Sequence, residues 1–333
     1  MKRFHYLIIS LACFMGLFFL ICSFTFNPYE FSKKYQQAKL PKPMEFLKIL
    51  SVKGKYYVIS QGDFYQYRKR LNDANPGLEA DSIPGSIFEF FPADAIIKKI
   101  TDLPNVKCFF GATLLNNKIY IAGGYDTQWN ELRGMDVFDI VTGKWEELTS
   151  LLIPRSRMAF EAIDKKIYAF YGTANEKAYE VYTPAEDIWE PLMPRMIPST
   201  MNKIETCAAS VVIENKLFII APYGKGFYEY DPIENILYEK SQPQFQSEYF
   251  DAVSMNKKIY VGGGTNTDSF NNNIYMYNPY DGLWKNVGKL TTPRCRAGLL
   301  YYNSMLMFLG GSLTDMSKPA QVTDEIFIYI PTK

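Results

Sequence analysis

The chain has 333 residues, a formal net charge of +1 and a hydrophobic fraction of 47%. That length suits two or three ordinary domains or one large repeat domain. The near-zero charge gives no support to a nucleic-acid-binding protein, which needs a concentrated basic face. The 25 Tyr and 24 Phe residues favour strands over helices.

The first predicted element is apolar. Residues 7–26, LIISLACFMGLFFLICSFTF, form 20 uncharged residues that follow Lys2 and Arg3. A membrane-spanning helix needs about 20 such residues, whereas the apolar part of a cleaved signal peptide usually has about 7 to 15. We therefore predict a signal anchor, one transmembrane helix, within residues 1–26; a cleaved signal peptide is the alternative. The positive-inside rule then places the remaining chain outside the cytoplasm, membrane-anchored or secreted.

An apolar run followed by small residues recurs along the rest of the chain. It reads NKIYIAGG at residues 117–124 and KKIYVGGG at residues 257–264. The aligned central positions are Tyr57, Tyr120, Tyr168, Phe218, Tyr260 and Met307. Their spacings of 63, 48, 50, 42 and 47 residues indicate an internal repeat near 50 residues long.

A second pattern follows in each repeat, usually an aromatic residue with Pro two positions later. These aromatic residues are Phe90, Tyr182, Tyr230, Tyr277 and Tyr329, with Phe138 in the copy that lacks Pro. Seven positions further on stand Ile97, Trp145, Trp189, Leu237 and Trp284. Each unit is therefore predicted to form four strands, with Trp covering the flank against the next unit.

These units resemble kelch repeats, which build one class of β-propeller. The resemblance covers residues 44–331 and implies an all-β, six-bladed kelch β-propeller. The glycine pairs Gly123-Gly124, Gly263-Gly264 and Gly310-Gly311 match the repeat. Tyr171-Gly172 and Ala221-Pro222 depart from it, which affects the expected geometry near the blade rim but not the number of blades.

The sixth unit holds only three predicted strands, ending in EIFIYIPTK. An open propeller would expose a sheet edge. The segment YQQAKLPKP, residues 35–43, looks like an unpaired fourth strand, because Leu40-Pro41 matches Leu103-Pro104 after the fourth strand of the first unit. We predict that residues 27–43 are a linker and the closing outer strand of blade six, and that residues 44–333 are the propeller. A plain linker is the alternative.

Few residues in the predicted propeller suit catalysis. The sole histidine, His5, lies in the apolar N-terminal region, so the propeller can form no Ser-His or Cys-His nucleophile and no histidine metal site. Cys108, Cys207 and Cys295 are an odd number without a Cys-x-x-Cys spacing, and we interpret them as packing residues. We expect no cofactor and no metal.

The kelch resemblance implies a ligand site on the face where the first strands begin. Arg155 of PRSR and Arg294 of PRCR occupy the same repeat position in opposite blades, and Lys107 and Glu205 occupy it in two others. In kelch adaptor domains such arginines can contact acidic side chains, which suits the planar guanidinium. Local pairing of each Arg with the protein's own acids is the structural alternative.

Two loops are predicted to add to that face. YDTQWNELRG, residues 125–134, places Trp129 beside Tyr125, a pair that suits sugar stacking or peptide anchoring. Packing of both rings onto the blade is the alternative. The long insertion between Asp63 and Pro84 could cover a central pocket.

The leading interpretation is a binding module: a tethered or exported propeller that presents its central face to a protein or carbohydrate ligand, for which acidic groups are expected. The alternative is an enzyme, a metal-free mutarotase or epimerase acting on a sialic-acid-like sugar, as in the exported kelch propellers of that group. Arg155, Arg294 and Glu205 would be its functional residues.

Overall fold

The structure is a computed structural model that describes residues 39–61, 84–172, 179–200, 206–266, 269–313 and 321–331. Within these ranges the strands form six antiparallel sheets, each made of strands consecutive in sequence. The first strands of neighbouring sheets contact one another, and the first strand of the first sheet also contacts that of the last. The sheets are therefore blades arranged in a closed ring, and the predicted six-bladed all-β propeller is confirmed.

The strands of the first three blades are as follows. Blade one contains β1 (Lys48–Val52), β2 (Lys55–Ile59), β3 (Ser86–Phe91) and β4 (Ile96–Asp102). Blade two contains β5 (Gly111–Leu115), β6 (Lys118–Ala122), β7 (Met135–Asp139) and β8 (Lys144–Leu148). Blade three contains β9 (Ala159–Ile163), β10 (Lys166–Phe170), β11 (Tyr179–Thr183) and β12 (Ile188–Leu192).

The remaining blades follow the same order. Blade four contains β13 (Ala209–Ile213), β14 (Lys216–Ile220), β15 (Phe227–Asp231) and β16 (Ile236–Glu239). Blade five contains β17 (Glu248–Met255), β18 (Lys258–Thr265), β19 (Asn273–Asn278) and β20 (Leu283–Lys289). Blade six contains β21 (Gly298–Tyr302), β22 (Met305–Leu309) and β23 (Ile326–Tyr329). We call the end of the propeller at which the first strands begin the upper face.

No helix in the described ranges is long and apolar enough to cross a membrane. The predicted anchor over residues 7–26 lies outside those ranges.

The repeat positions found in the sequence are equivalent in space. Each aligned residue from Tyr57 to Met307 is the third residue of its blade's second strand. The second pattern forms cross-strand pairs, such as Phe138 opposite Trp145 and Tyr277 opposite Trp284. The pairs recur because each copy fills the same place between two blades.

In blades two, three and five, tryptophan joins the blade to the one before it. The indole nitrogen of Trp189 donates a hydrogen bond to the Thr149 carbonyl at 3.1 Å, and that of Trp284 to the Ser241 carbonyl at 2.9 Å. Both acceptors follow the fourth strand of the preceding blade, so the prediction that Trp covers the flank against the next blade is wrong in direction.

The apolar core is divided among the blade interfaces. Each of the six buried clusters combines side chains of two adjacent blades. The interface between blades six and one includes Leu40, Met44 and Leu47 beside Met307 and Leu309. Residues that precede β1 therefore help to close the ring.

Glycine permits close contact between blades. The Gly124 amide donates to the Arg155 carbonyl at 2.9 Å, and the Gly311 amide donates to the Met44 carbonyl at 2.8 Å. Gly123, at φ +64, lies so near Arg155 that a Cβ atom would stand 2.3 Å from its carbonyl oxygen. A side chain there would push the blades apart.

The described part of residues 27–43 attaches to blade six. Lys39 forms an antiparallel bridge with Glu325, and the Leu40 amide donates to the Asp324 carbonyl at 2.7 Å. The Leu103 amide makes the equivalent bond to Gly85 in blade one, at 2.8 Å. Leu40 thus occupies the position that follows a fourth strand. The closing strand itself lies in residues outside the described ranges and stays a prediction.

Replacement of Leu40 tests this attachment. Leu40 is 3% exposed and belongs to the cluster between blades six and one. We expect Leu40→Ala to lower the free energy of unfolding by about 2–4 kcal/mol, since it leaves a cavity in the interface between blades six and one. Denaturant unfolding should show no such change for the exposed neighbour Lys42→Ala. Equal unfolding midpoints for both variants would contradict a stabilising role of Leu40 in the interface between blades six and one.

Candidate functional site

Six equivalent residues form a ring around the propeller axis at the upper face. They are Phe46, Phe109, Arg157, Cys207, Tyr249 and Arg296. Backbone bonds link neighbouring members: the Arg157 amide donates to the Phe109 carbonyl at 2.9 Å, and the Arg296 amide to the Tyr249 carbonyl at 2.8 Å. All but Cys207 have a positive φ, so the chain turns here and directs these residues toward the axis.

Five of these residues form a compact group that we call the axial collar: Phe46, Phe109, Arg157, Tyr249 and Arg296. The Arg157 guanidinium lies 4.4 Å from the centre of the Phe109 ring and 5.5 Å from that of Tyr249. The Arg296 guanidinium lies 4.9 Å from Phe46 and 5.0 Å from Tyr249. Two cations from opposite blades therefore converge on one tyrosine, held by cation–π contacts.

The two collar arginines differ in their polar partners. Arg296 Nη1 donates to Glu45 Oε2 at 3.0 Å. Burial disfavours the Arg296 cation, but Glu45 outweighs it and raises the pKa. Arg157 Nη2 donates to the Tyr249 hydroxyl at 3.2 Å, and among the described residues its buried Nε has no hydrogen-bond partner. In the described part of the chain, Arg157 therefore forms no salt bridge, unlike Arg296 with Glu45.

The prediction that Arg155 is an accessible ligand residue is wrong. Its side chain is 1% exposed and pairs with Glu180 of β11 in the same blade. Its Nη1 also donates to the Tyr171 carbonyl at 2.7 Å, while Glu180 accepts the Leu152 amide at 2.8 Å. Arg155 is thus a structural residue that joins the start of β9 to β11.

The same correction applies to Arg294 and Lys107. Arg294 is 1% exposed, donates to the Gly310 carbonyl at 3.2 Å and lies 3.8 Å from Glu325. Lys107 is buried and pairs with Asp136 of β7. In each case the cation turns into its own blade, because an acid at or just before the third strand faces it. Glu205, the remaining predicted member, lies outside the described ranges.

The predicted aromatic loop leads toward the collar. Trp129 and Tyr125 are half-buried, with ring centres 5.5 Å apart, and Tyr125 lies 6.3 Å from Phe109. Asp126 shapes the loop by accepting the amides of Gln128 and Asn130 at 2.8 and 2.9 Å. The rings of Trp129 and Tyr125 pack onto the blade, which was the alternative to a ligand-binding role. Together with Phe109 they also form a continuous aromatic track from the loop to the axis.

A cavity of about 170 Å³ continues below the collar along the axis. Lys48, Ser210 and Asp251 contribute polar groups to its wall. Lys48 Nζ lies 3.0 Å from Glu161 Oε1, which also accepts the Ser210 hydroxyl at 2.8 Å. Burial disfavours the Lys48 cation, but Glu161 and Asp251 outweigh it and raise the pKa of Lys48. The ammonium group therefore stays charged and is a poor nucleophile.

The cysteines act as packing and wall residues. Cys108 and Cys295 are buried, whereas Cys207 lines the axial cavity, and none of these three is part of a disulfide. Burial raises the pKa values of Cys207 and Cys295 to about 12. These two thiols remain protonated near neutral pH and do not act as nucleophiles.

Sequence reasoning missed Arg157 and Arg296, although both stand in the quoted PRSR and PRCR motifs. The available signal was the recurrence of the second arginine, together with aromatic residues at the same repeat position in other blades. Lys48 and Asp251 carried no such signal, since other blades have small residues there: Gly111, Ala209 and Gly298.

Comparison with known proteins agrees with this architecture. The Kelch motif matches residues 107–152 and 249–291, within blades two and five. The Kelch repeat and BTB domain-containing protein 1 of cowpox virus is 25% identical over 219 residues, which is 63% of this chain and 38% of that protein. Kelch-like protein 35 of Mus musculus is 23% identical over 244 residues, 69% of this chain and 39% of the relative.

A shorter match exists in plants. A putative F-box/kelch-repeat protein of Arabidopsis thaliana is 29% identical over 125 residues, 36% of this chain and 33% of the relative. The chain thus matches 33–39% of the length of these curated relatives.

Replacing the two arginines of PRSR separates their roles. Arg155→Ala should lower the free energy of unfolding by about 3–5 kcal/mol, because it leaves Glu180 buried without its counter-charge. Arg157→Ala should cost about 1 kcal/mol or less, the scale of an accessible cation–π contact. Denaturant unfolding of both variants measures the difference, and the reverse order would contradict the assignment.

The buried carboxylate of Asp251 predicts an unusual pH dependence. Burial raises its pKa from 3.8 to about 6, against the opposing effects of Lys48 and two amides. The folded state therefore binds this proton more tightly than the unfolded state, so stability from this group is lost as pH rises through about 6. Relative to wild type, Asp251→Asn should gain an advantage of about 1–2 kcal/mol in the free energy of unfolding as pH rises from 5 to 7.5.

That advantage should shrink as pH falls from 7.5 to 5, where wild-type Asp251 becomes protonated. Denaturant unfolding at several pH values measures it, with the exposed Glu147→Gln as the control. An advantage that stays constant with pH would contradict the raised pKa.

Proposed function

We propose that the upper face of this propeller binds an acidic segment of a protein partner. The premise is that the chain is a kelch-repeat β-propeller, a type of domain that generally binds proteins. The observation that carries the proposal is the convergence of Arg157 and Arg296 on Tyr249 at the axis. A carboxylate that docks between the two guanidiniums would reduce their mutual repulsion and accept charge-assisted hydrogen bonds.

The surroundings of the collar support a peptide-like ligand. The aromatic track of Trp129, Tyr125 and Phe109 leads outward from the arginines across blade two. Protein interfaces are enriched in Trp, Tyr and Arg, which act as anchors at their centres. A partner segment with an acidic residue at the axis and an apolar residue over Trp129 would match both features. A carbohydrate acid would engage the arginines but would leave most of the track uncovered.

Binding of a defined acidic probe tests the role of the collar. A fluorescein-labelled peptide rich in Glu should bind the full-length chain, and its Gln-rich counterpart should not. Arg157→Ala and Arg296→Ala should each weaken binding by about 1.5–3 kcal/mol, the scale of a hydrogen bond to a charged group. Fluorescence anisotropy measures the affinity, which should also fall as ionic strength rises.

Arg195→Ala is the matched control, because Arg195 is an exposed arginine outside the collar. Equal losses in all three arginine variants would indicate non-specific charge attraction. Unchanged affinity in both collar variants would overturn the proposed site.

We further propose that residues 7–26 tether the propeller to a membrane, with the upper face outside the cytoplasm. The support is the uncharged stretch of 20 residues that follows Lys2 and Arg3. We expect the full-length chain to remain in the membrane fraction after carbonate washing. A mature N-terminus near Phe26 would indicate a cleaved signal peptide, and release of the uncleaved chain would contradict the tether.

A further inference from the structure

The axial cavity contains a carboxylate without a counter-ion among the described residues. Asp251 of β17 follows Tyr249 of the collar by two residues and therefore lies further into blade five. Its Oδ1 accepts the Ala252 amide and its Oδ2 accepts the Leu299 amide, both at 2.8 Å. Two backbone amides use part of the four or so acceptor positions of a carboxylate. The remaining capacity faces the cavity that Asp251 lines.

The nearby lysine is engaged elsewhere. Lys48 forms its salt bridge with Glu161 at 3.0 Å, and the Ser210 hydroxyl completes that group. Lys48 acts on Asp251 as a neighbouring charge but not as an ion-pair partner. The lower part of the channel therefore has one carboxylate in excess, and a buried charge is costly unless it is paired.

Charge is ordered along the axis. Arg157 and Arg296 stand at the mouth of the cavity, and Asp251 stands below them on the same cavity wall. The ring of Tyr249 lies at the level of the two guanidiniums. A ligand complementary to this order carries a negative group at its outer end and a positive group at its inner end.

We propose that the axial channel binds a small amino acid in its zwitterionic form, with its carboxylate at the collar arginines and its ammonium group at Asp251. This site goes beyond the proposed protein partner and shares only the collar with it. The cavity of about 170 Å³ has room for a ligand of this size. The ligand carboxylate would accept hydrogen bonds from the guanidinium groups of Arg157 and Arg296, which line the cavity.

Protonation of Asp251 should control the affinity. The groups that act on it are Lys48 from β1, Glu161 from β9 and the amides of Ala252 and Leu299. Cys207 and Ser210 adjoin the Lys48–Glu161 pair. The raised pKa of about 6 means that Asp251 loses its charge below that pH. We expect binding to weaken about tenfold between pH 7 and pH 5, because the neutral acid no longer attracts an ammonium group.

Calorimetric titration of the full-length chain tests the proposal. The probes are L-alanine, L-threonine and β-alanine; propionate lacks the ammonium group and ethylamine lacks the carboxylate. At least one amino acid should bind, and both comparators should bind at least about tenfold more weakly. Asp251→Asn should weaken amino-acid binding at least about tenfold, while Glu147→Gln leaves it unchanged.

The Asp251→Asn variant also separates this site from the protein-binding site. It should bind the Glu-rich peptide as wild type does, since the collar is intact. No heat from any of the three amino acids at millimolar concentration would overturn the proposal. Propionate binding as tight as that of L-alanine, or equal amino-acid binding by Asp251→Asn, would overturn it as well.

Discussion

Backbone hydrogen bonds between blades just before four of the first strands determine which side chains reach the propeller axis. The Arg157 amide bonds to blade two, the Cys207 amide to blade three, and the Phe46 amide to blade six. Arg157 and Phe46 also have a positive φ, which costs on the order of 1 kcal/mol or more for a non-glycine residue. The apolar interfaces between blades offset this strain, so ring closure and collar geometry depend on each other.

This constraint explains why the second arginine of each motif faces the axis. In a regular strand, residues two positions apart point to the same side, so Arg155 and Arg157 would be expected to act together. The positive φ of Arg157 interrupts the alternation. Arg155 turns into its blade toward Glu180, and Arg157 turns to the axis. Arg294 and Arg296 repeat the arrangement three blades away.

The sequence was sufficient for the fold because the same packing problem recurs in every blade. Aromatic residues such as Tyr120 and Tyr168 mark equivalent places, and their spacing reveals the number of blades. The geometry of the site depends on contacts between residues that are far apart in the sequence, and a local sequence pattern does not predict such contacts. Arg155 meets Glu180 from 25 positions away, and Lys48 meets Glu161 from 113 positions away. Whether a cation is structural or free to bind is decided by such distant partners.

Around the axis, the inner edge of each first strand has no neighbouring strand, so its backbone amides need other hydrogen-bond acceptors. Side chains from the preceding blade accept some of these amides: Thr113 accepts that of Ala162 at 3.0 Å, and Asp251 accepts that of Leu299 at 2.8 Å. The neutral hydroxyl of Thr113 satisfies its amide without introducing a buried charge. A neutral acceptor can therefore satisfy an amide on the inner edge of a first strand. The charge of Asp251 weakens the fold at neutral pH, and a ligand cation would offset that cost.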